Sequence, residues 1–265
     1  MLLRRAVRLP VPAAAEPPAD SDSRRREAAA RRRTPAAVKL LGVILDFDGV
    51  IADTEPIHLR AFQDALAGGP MTLADEEYWE RYLGLDDAGL FVALARDRNV
   101  PLEPEAAARL ATAKADCFAA RVAATDVVYP AARRCIEQLA ADGTALAVAS
   151  GALHHEIEAI LTRAGLLQHF VAIVAADDVP ASKPAPDTYV RAVELLCNAL
   201  GRPVSPAGFV AVEDSRWGID SANAAGLPCA GVTTSYTADE LTGAAAVVES
   251  LDELDRFALT ALLGH

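Results

Sequence analysis

The stretch LGVILDFDGVIADTE, residues 41–55, decides the fold. Its apolar run at residues 43–45 predicts a short strand that is buried on both faces, as in a parallel sheet. The strand ends in Asp46 and Asp48, and Gly49 lets the chain turn sharply away. Ligands bind beyond the carboxyl ends of such strands, and two acids on a bend there repel each other unless a cation lies between them. The stretch therefore predicts an acidic ligand site at one edge of an α/β sheet.

Two other interpretations of these acids fit less well. A calcium loop needs acids at positions 1, 3 and 5 and a glycine at position 6, whereas Gly49 directly follows the second acid. A strand end with solvated acids is the other alternative, and the buried apolar run before Asp46 argues against it.

The composition limits the class of protein. The chain has 265 residues, enough for one or two domains with a buried core, and 52% of its residues are hydrophobic. No apolar run reaches the roughly 18 residues of a membrane span. The four cysteines lie far apart and form no C-x-x-C pair: Cys117, Cys135, Cys197 and Cys229. Reduced thiols in the cytoplasm are the simplest interpretation.

Charge is unevenly distributed along the chain. Residues 1–38 contain nine arginines and four acids, a net charge of +5. Since the whole chain has a net charge of −12, the remaining residues carry −17. We interpret residues 1–38, which are rich in Ala, Arg and Pro, as a disordered leader, with a plastid transit peptide as the alternative. The acidic remainder predicts that the protein binds no nucleic acid.

The remaining pattern predicts a doubly wound parallel α/β sheet with an inserted helical cap. A helix is predicted over residues 55–66, and residues 72–124 read as helical throughout. Strands then alternate with helices: strands at 145–149, 170–174, 208–212 and 229–232, and helices at 130–140, 155–163, 186–200 and 217–225. We therefore predict a core domain of residues 39–54 and 125–265, with residues 55–124 as the cap domain.

Polar residues that can carry chemistry lie at two further predicted strand ends and in one predicted loop. Ser150 ends an apolar strand, although a serine there could equally cap the next helix. Lys183 is followed by Pro184 and Pro186 in ASKPAPDTY, where a solvated loop lysine is the alternative. Glu213 and Asp214 end another apolar strand, and adjacent acids at such a place suit a metal better than packing.

The order of these motifs, Asp-x-Asp, then Ser, then Lys, then Glu-Asp, resembles the four motifs of the haloacid dehalogenase-like phosphohydrolases across residues 39–235. Within that superfamily the chain most resembles the β-phosphoglucomutase/CbbY-like branch, which has a helical cap after strand one. The resemblance implies a Rossmann-like core and an enzyme that transfers a phosphoryl group to an aspartate.

The resemblance also implies roles for individual residues. Asp46 would be the nucleophile, and Asp48 would protonate the leaving oxygen and then activate water. Phosphate would be bound by Ser150, Gly151 and Lys183. Mg²⁺ would lie among Asp46, Asp48, Glu213 and Asp214.

In the cap, His58 and Lys114 match positions where the branch has a histidine and a lysine. A polar-face histidine and a solvated lysine remain the alternatives. The branch's mutase holds a second phosphate with a cap arginine, but here the corresponding run is Gly84-Leu85-Asp86-Asp87. The polar residues that the mutase has after its serine are also absent, since residues 151–154 read Gly-Ala-Leu-His. Both departures favour hydrolysis of a monophosphate.

The sequence thus predicts a Mg²⁺-dependent phosphatase of a small phosphorylated metabolite, with a sugar phosphate expected. A β-phosphoglucomutase-type isomerase is the alternative, and the intact Asp46 and Asp48 argue against an inactive binding module. We expect a cytoplasmic monomer without nucleic-acid or membrane partners.

Overall fold

A six-stranded parallel sheet organises residues 39–83 and 85–264, which are the residues that this computed structural model describes. The strands are β1 (Gly42–Leu45), β2 (Ala145–Ala149), β3 (Phe170–Val174), β4 (Phe209–Glu213), β5 (Cys229–Val232) and β6 (Ala246–Val248). They lie in the order β3-β2-β1-β4-β5-β6. The predicted disordered leader, residues 1–38, lies outside the described residues.

The two central strands bring the acidic motifs together. Every residue of β1 and β4 is buried, because helices cover both faces of the sheet. Leu45 pairs with Val212 across the two strands, and the amide of Asp46 donates to the Val212 carbonyl at 2.9 Å. The chain leaves β1 toward β2 on one side and reaches β4 on the other, so this is the switch point where α/β sheets bind ligands.

The helices follow the predicted alternation. They are α1 (Glu55–Leu66), α2 (Asp75–Glu77), α3 (Asp87–Arg98), α4 (Pro104–Ala124), α5 (Pro130–Ala141), α6 (His154–Ala164), α7 (Asp187–Ala199), α8 (Arg216–Ala224) and α9 (Arg256–Leu262). A π-helical turn, Tyr78–Tyr82, continues α2. The individually predicted helices and strands are confirmed to within one residue at each end, and the doubly wound fold with them.

Alternate residues of β1 face opposite layers. Val43 and Leu45 pack with α5 and α6 in one apolar cluster, whereas Ile44 packs with α7 and α8 in another. This division is the period-two alternation of a strand in a sheet covered on both faces.

A third apolar cluster lies within the helical stretch that follows β1. It includes Leu59 and Phe62 of α1 and Leu90, Phe91 and Leu94 of α3, all 2% exposed or less. A separate cluster is consistent with a cap, but the predicted domain boundaries at residues 54/55 and 124/125 stay a prediction. Within the described part of the chain, no helix has the length and apolarity to cross a membrane.

Candidate active site

The loop after β1 places Asp46 beside Lys183, which comes from another loop. Asp46 is only 8% exposed, and its Oδ1 lies 2.7 Å from Nζ of Lys183. Gly49 has φ +75°, and a Cβ there would lie 1.8 Å from Oδ2 of Asp214. Glycine at this turn therefore serves two purposes: it permits the left-handed backbone and leaves room for the neighbouring acid.

Glu213 is completely buried at the end of β4 and is surrounded by donors. Its Oε1 accepts from Nζ of Lys183 at 2.5 Å and from the hydroxyl of Tyr189 at 2.8 Å. Its Oε2 accepts from the hydroxyl of Ser215 at 3.2 Å. The α8 helix passes so close that a Cβ on Gly218 would fall 1.9 Å from the Glu213 carboxylate. Glu213 thus holds Lys183 in place.

Three carboxylates form a cluster that can hold a metal ion. One oxygen from each of Asp46, Glu213 and Asp214 lies within 4.8 Å of the others, and all three residues are buried. Burial and then the charge of Glu213 raise the pKa of Asp46 well above its usual value, although Lys183 lowers it in part. The same two causes raise the pKa of Asp214 to about 7.

Lys183 alone does not neutralise this cluster. Burial would lower the pKa of Lys183, but Asp46 and Glu213 outweigh it and the pKa is raised, so the lysine stays charged. One positive charge among three buried acids leaves an excess of negative charge. An all-oxygen donor set of this kind fits a hard divalent cation such as Mg²⁺.

Asp48 lies apart from the three-carboxylate cluster. Its Oδ1 accepts a hydrogen bond from the hydroxyl of Thr54, and the side chain is half-buried. Burial raises the pKa of Asp48, while Thr54, Lys183 and Lys114 lower it in part. A raised pKa favours the protonated form that a general acid needs. That Asp48 helps to hold the metal, through its backbone carbonyl, stays a prediction.

Ser150 is completely buried at the end of β2, at the same edge of the sheet. Its hydroxyl accepts from the amide of Ala152 at 3.0 Å, and Leu153, not Ser150, is the N-cap of α6. The capping alternative is therefore wrong. Gly151 is exposed, and a Cβ on it would meet no atom within 4 Å. Open space therefore lies beside Gly151 in the loop that follows β2.

The solvated-loop alternative for Lys183 is also wrong, because its side chain is only 11% exposed. The Lys183–Pro184 peptide bond is cis. The lysine bridges the acids that end β1 and β4.

Lys114 is likewise not solvated. It is 1% exposed, and its Nζ lies 2.7 Å from both Asp87 Oδ1 and His58 Nδ1. Asp86, which precedes Asp87 in the run Gly84-Leu85-Asp86-Asp87, instead caps α3: its side chain accepts from the amide of Gly89 at 2.6 Å.

Sequence reasoning missed three partners in this region. Thr54 lies in the quoted stretch and could have been noticed as a hydroxyl near the two aspartates. Tyr189 ends the quoted ASKPAPDTY motif, six residues after Lys183, where an aromatic residue reads as ordinary core. No sequence signal links Asp87 to Lys114, since the pair joins two separate helices.

The chain matches known proteins over most of this fold. Residues 40–226 match the family described as haloacid dehalogenase-like hydrolase. The protein CbbY of Rhodobacter capsulatus is 34% identical over 212 residues, 76% of this chain and 88% of that protein. The fructose-1-phosphate phosphatase YqaB of Escherichia coli is 34% identical over 186 residues, 70% of this chain and 93% of that protein.

A solved structure adds the fold to this similarity. A CbbY variant from Rhodobacter sphaeroides in complex with xylulose 1,5-bisphosphate superimposes with a TM-score of 0.70 at 29% identity, covering 81% of this chain and 96% of that one. The chain therefore belongs to the haloacid dehalogenase-like hydrolases, within the CbbY-like branch that its four motifs indicate.

Proposed function

We propose that this protein is a Mg²⁺-dependent phosphatase that hydrolyses a small phosphorylated metabolite through an aspartyl-phosphate on Asp46. The observation that carries the proposal is the pairing of Asp46 with Lys183, 2.7 Å apart at the switch point of the sheet. A nucleophile needs such a neighbour, because the group it attacks carries negative charge that must be offset.

In the first step, an oxygen of Asp46 attacks phosphorus and the bond to the ester oxygen breaks. Asp48 gives its proton to that leaving oxygen, which its raised pKa supports. Asp48 is then a carboxylate, and it accepts a proton from water as the water attacks the phosphorus. Inorganic phosphate leaves, and Asp46 is again a carboxylate with Asp48 protonated.

The other predicted residues bind the phosphoryl group. The hydroxyl of Ser150, the loop at Gly151 and the ammonium of Lys183 supply donors and charge for its non-bridging oxygens. Glu213 and Tyr189 are positioning residues, since they hold Lys183 rather than touch the substrate.

Asp46 and Asp214 would hold Mg²⁺, with the Asp48 carbonyl as a further ligand and Glu213 close by. A bound Mg²⁺ supplies positive charge that keeps these buried carboxylates ionised and offsets the charge of the phosphoryl group. The raised pKa values of Asp46 and Asp214 support this assignment, because they reflect carboxylates without sufficient countercharge.

We propose a sugar phosphate as the substrate. The named relatives support this class: one is a fructose-1-phosphate phosphatase, and a CbbY structure contains xylulose 1,5-bisphosphate. We also propose a cytoplasmic location, which the four free thiols support. The plastid alternative depends on residues 1–38.

Phosphate release from a panel of phosphorylated metabolites tests the function. We expect hydrolysis that requires Mg²⁺, stops on chelation, and is inhibited by Ca²⁺, which accepts more ligands and binds carboxylates bidentately. Full activity after exhaustive chelation would contradict the metal assignment. Formation of glucose 6-phosphate from β-glucose 1-phosphate without phosphate release would favour the mutase instead.

A further inference from the structure

Lys114 is buried among groups that already use its charge. Its ammonium contacts Asp87 and His58, each at 2.7 Å, and lies 4.9 and 5.0 Å from the ring centres of Phe62 and Phe118. Among these partners, only the carboxylate of Asp87 neutralises the charge of Lys114. Lys114 is therefore not a cation waiting for an anionic ligand.

His58 contributes a neutral donor to this group. Burial and then the charge of Lys114 lower the pKa of His58 to about 3, so the imidazole is uncharged. Its Nδ1 accepts from the ammonium, which assigns the ring proton to Nε2. Its ring stacks on Phe118 with centres 4.2 Å apart, which holds the imidazole in this orientation.

A core helix brings a second acid to the edge of the sheet where Ser150 lies. Glu156 lies half-buried in the first turn of α6, which begins four residues after Ser150. Burial raises the pKa of Glu156, Lys114 lowers it in part, and Asp87 and Asp48 raise it further. The amide of His58 donates to the carbonyl of Thr54 at 2.9 Å, and the hydroxyl of Thr54 donates to Asp48, so the group around Lys114 lies about one helical turn from the catalytic loop.

We infer that Asp87 and Glu156 determine specificity by favouring a substrate whose non-reacting end is uncharged and bears hydroxyl groups, and by disfavouring a second phosphate. The inference rests on the proposed phosphatase function, whose substrate class it narrows. A second phosphate would have to break the ion pair of Asp87 and Lys114 and would then face two carboxylates. Hydroxyl groups can instead donate to these carboxylates and accept from Nε2 of His58.

The test compares inhibition constants in four proteins: wild type, Asp87→Asn, Glu156→Gln and Asp116→Asn. The last variant is a matched control, because Asp116 is an exposed acid on α4, two residues from Lys114. Fructose 1,6-bisphosphate and inorganic phosphate are the inhibitors, and hydrolysis of p-nitrophenyl phosphate is the reaction. Inorganic phosphate occupies only the catalytic end, so the ratio of the two constants isolates the effect of the second phosphate.

The ratio is the inhibition constant of fructose 1,6-bisphosphate divided by that of inorganic phosphate. In Asp87→Asn we expect this ratio to fall about tenfold, since one like charge near the second phosphate is removed. Glu156→Gln should shift the ratio in the same direction, and Asp116→Asn should leave it unchanged. Equal ratios in all four proteins would overturn the inference, as would an equal shift in the control.

Two further outcomes separate this inference from the function on which it rests. If wild type hydrolyses no phosphate ester, the proposed function fails, and calorimetric binding of the same two inhibitors gives the same ratio. If Asp87→Asn does not fold because Lys114 loses its partner, Glu156→Gln decides, since Glu156 makes no ion pair with Lys114 among the described residues.

Discussion

At the scale of single residues, the site works by crowding acids around one lysine. Asp46, Glu213 and Asp214 approach one another more closely than charged carboxylates would in water. The fold tolerates this because packing on β1 and β4 places them, and burial together with the charge of Glu213 raises the pKa values of Asp46 and Asp214. Such shifts are typical of catalytic sites, where a group's charge is matched to its task.

Asp46→Asn should abolish turnover and leave the fold intact. An amide is a poor nucleophile, so we expect kcat to fall roughly a thousandfold or more. The variant also removes one buried, repelled charge, so its thermal midpoint without metal should equal or exceed that of wild type. Phosphate release and thermal unfolding measure the two effects. Hydrolysis that persists in the purified variant would show that Asp46 is not the nucleophile.

At the scale of elements, the sequence predicts the sheet well because its strands are buried on both faces. Such strands read as apolar runs: β2 has both predicted ends, and β1 ends at the predicted residue but begins one residue earlier. It does not predict β6 or α9. The three residues of β6 are only partly buried, and α9 spans seven residues, so neither gives a sustained pattern.

The candidate site divides in the same way. Residues at strand ends, such as Ser150 and Asp214, could be predicted because parallel strands end at one edge of a sheet. Contacts between elements could not. Asp87 reads from sequence as a lost anion grip, whereas in the structure it is the counterion of a buried lysine. Only the packing of α3 against α4 brings the two together.

Asp86→Ala should destabilise α3. Asp86 is its N-cap and accepts from the amide of Gly89, so the loss of that bond should lower the free energy of unfolding by about 1 kcal/mol. Denaturant unfolding measures the change. Asp86→Ser is the matched control, because serine retains a capping oxygen and should recover most of the stability. Equal losses in both variants would mean that charge, not capping, is what Asp86 contributes.

The pair of His154 with Asp178 should make the free energy of unfolding depend on pH. Nδ1 of His154, at the start of α6, lies 2.7 Å from Asp178 Oδ2, and this hydrogen bond raises the pKa of His154. The resulting stability is present below the unfolded pKa of histidine, about 6.5, and is lost as pH rises through the higher folded pKa. Both side chains are more than a third exposed, so the effect should stay below about 1 kcal/mol.

Denaturant unfolding of His154→Gln at several pH values checks this dependence. The difference from wild type should be largest near about pH 5–6 and shrink at alkaline pH. His155→Gln, at the exposed neighbouring position, is the matched control for losing a histidine at the start of α6. A constant difference for His154→Gln at every pH would show that the charge of His154 is not involved.

At the scale of the whole molecule, the basic leader and the acidic remainder raise the question of whether they depend on each other. Residues 1–38 carry +5 and show no apolar period, whereas the remainder carries −17. Among the described residues, the first strand begins at Gly42.

A chain that begins at Ala37 should keep its kcat/KM and its thermal midpoint, because the removed residues contribute no predicted core. Both quantities should be measured side by side with the full chain at low and at high salt. A fall at low salt that disappears at high salt would contradict this prediction and indicate that the arginines dock on the acidic surface.

The close approach of Gly218 to Glu213 has a consequence for how this family can change over evolution. Any side chain at position 218 would overlap the carboxylate, 1.9 Å from the place a Cβ would take. The two positions must therefore vary together: in homologues, a residue larger than glycine at 218 should accompany a shorter residue at 213. In a lineage that loses activity, the acid at position 213 would have to be replaced before a larger residue could occupy position 218. Steric overlap therefore sets the order of the two substitutions in a family tree.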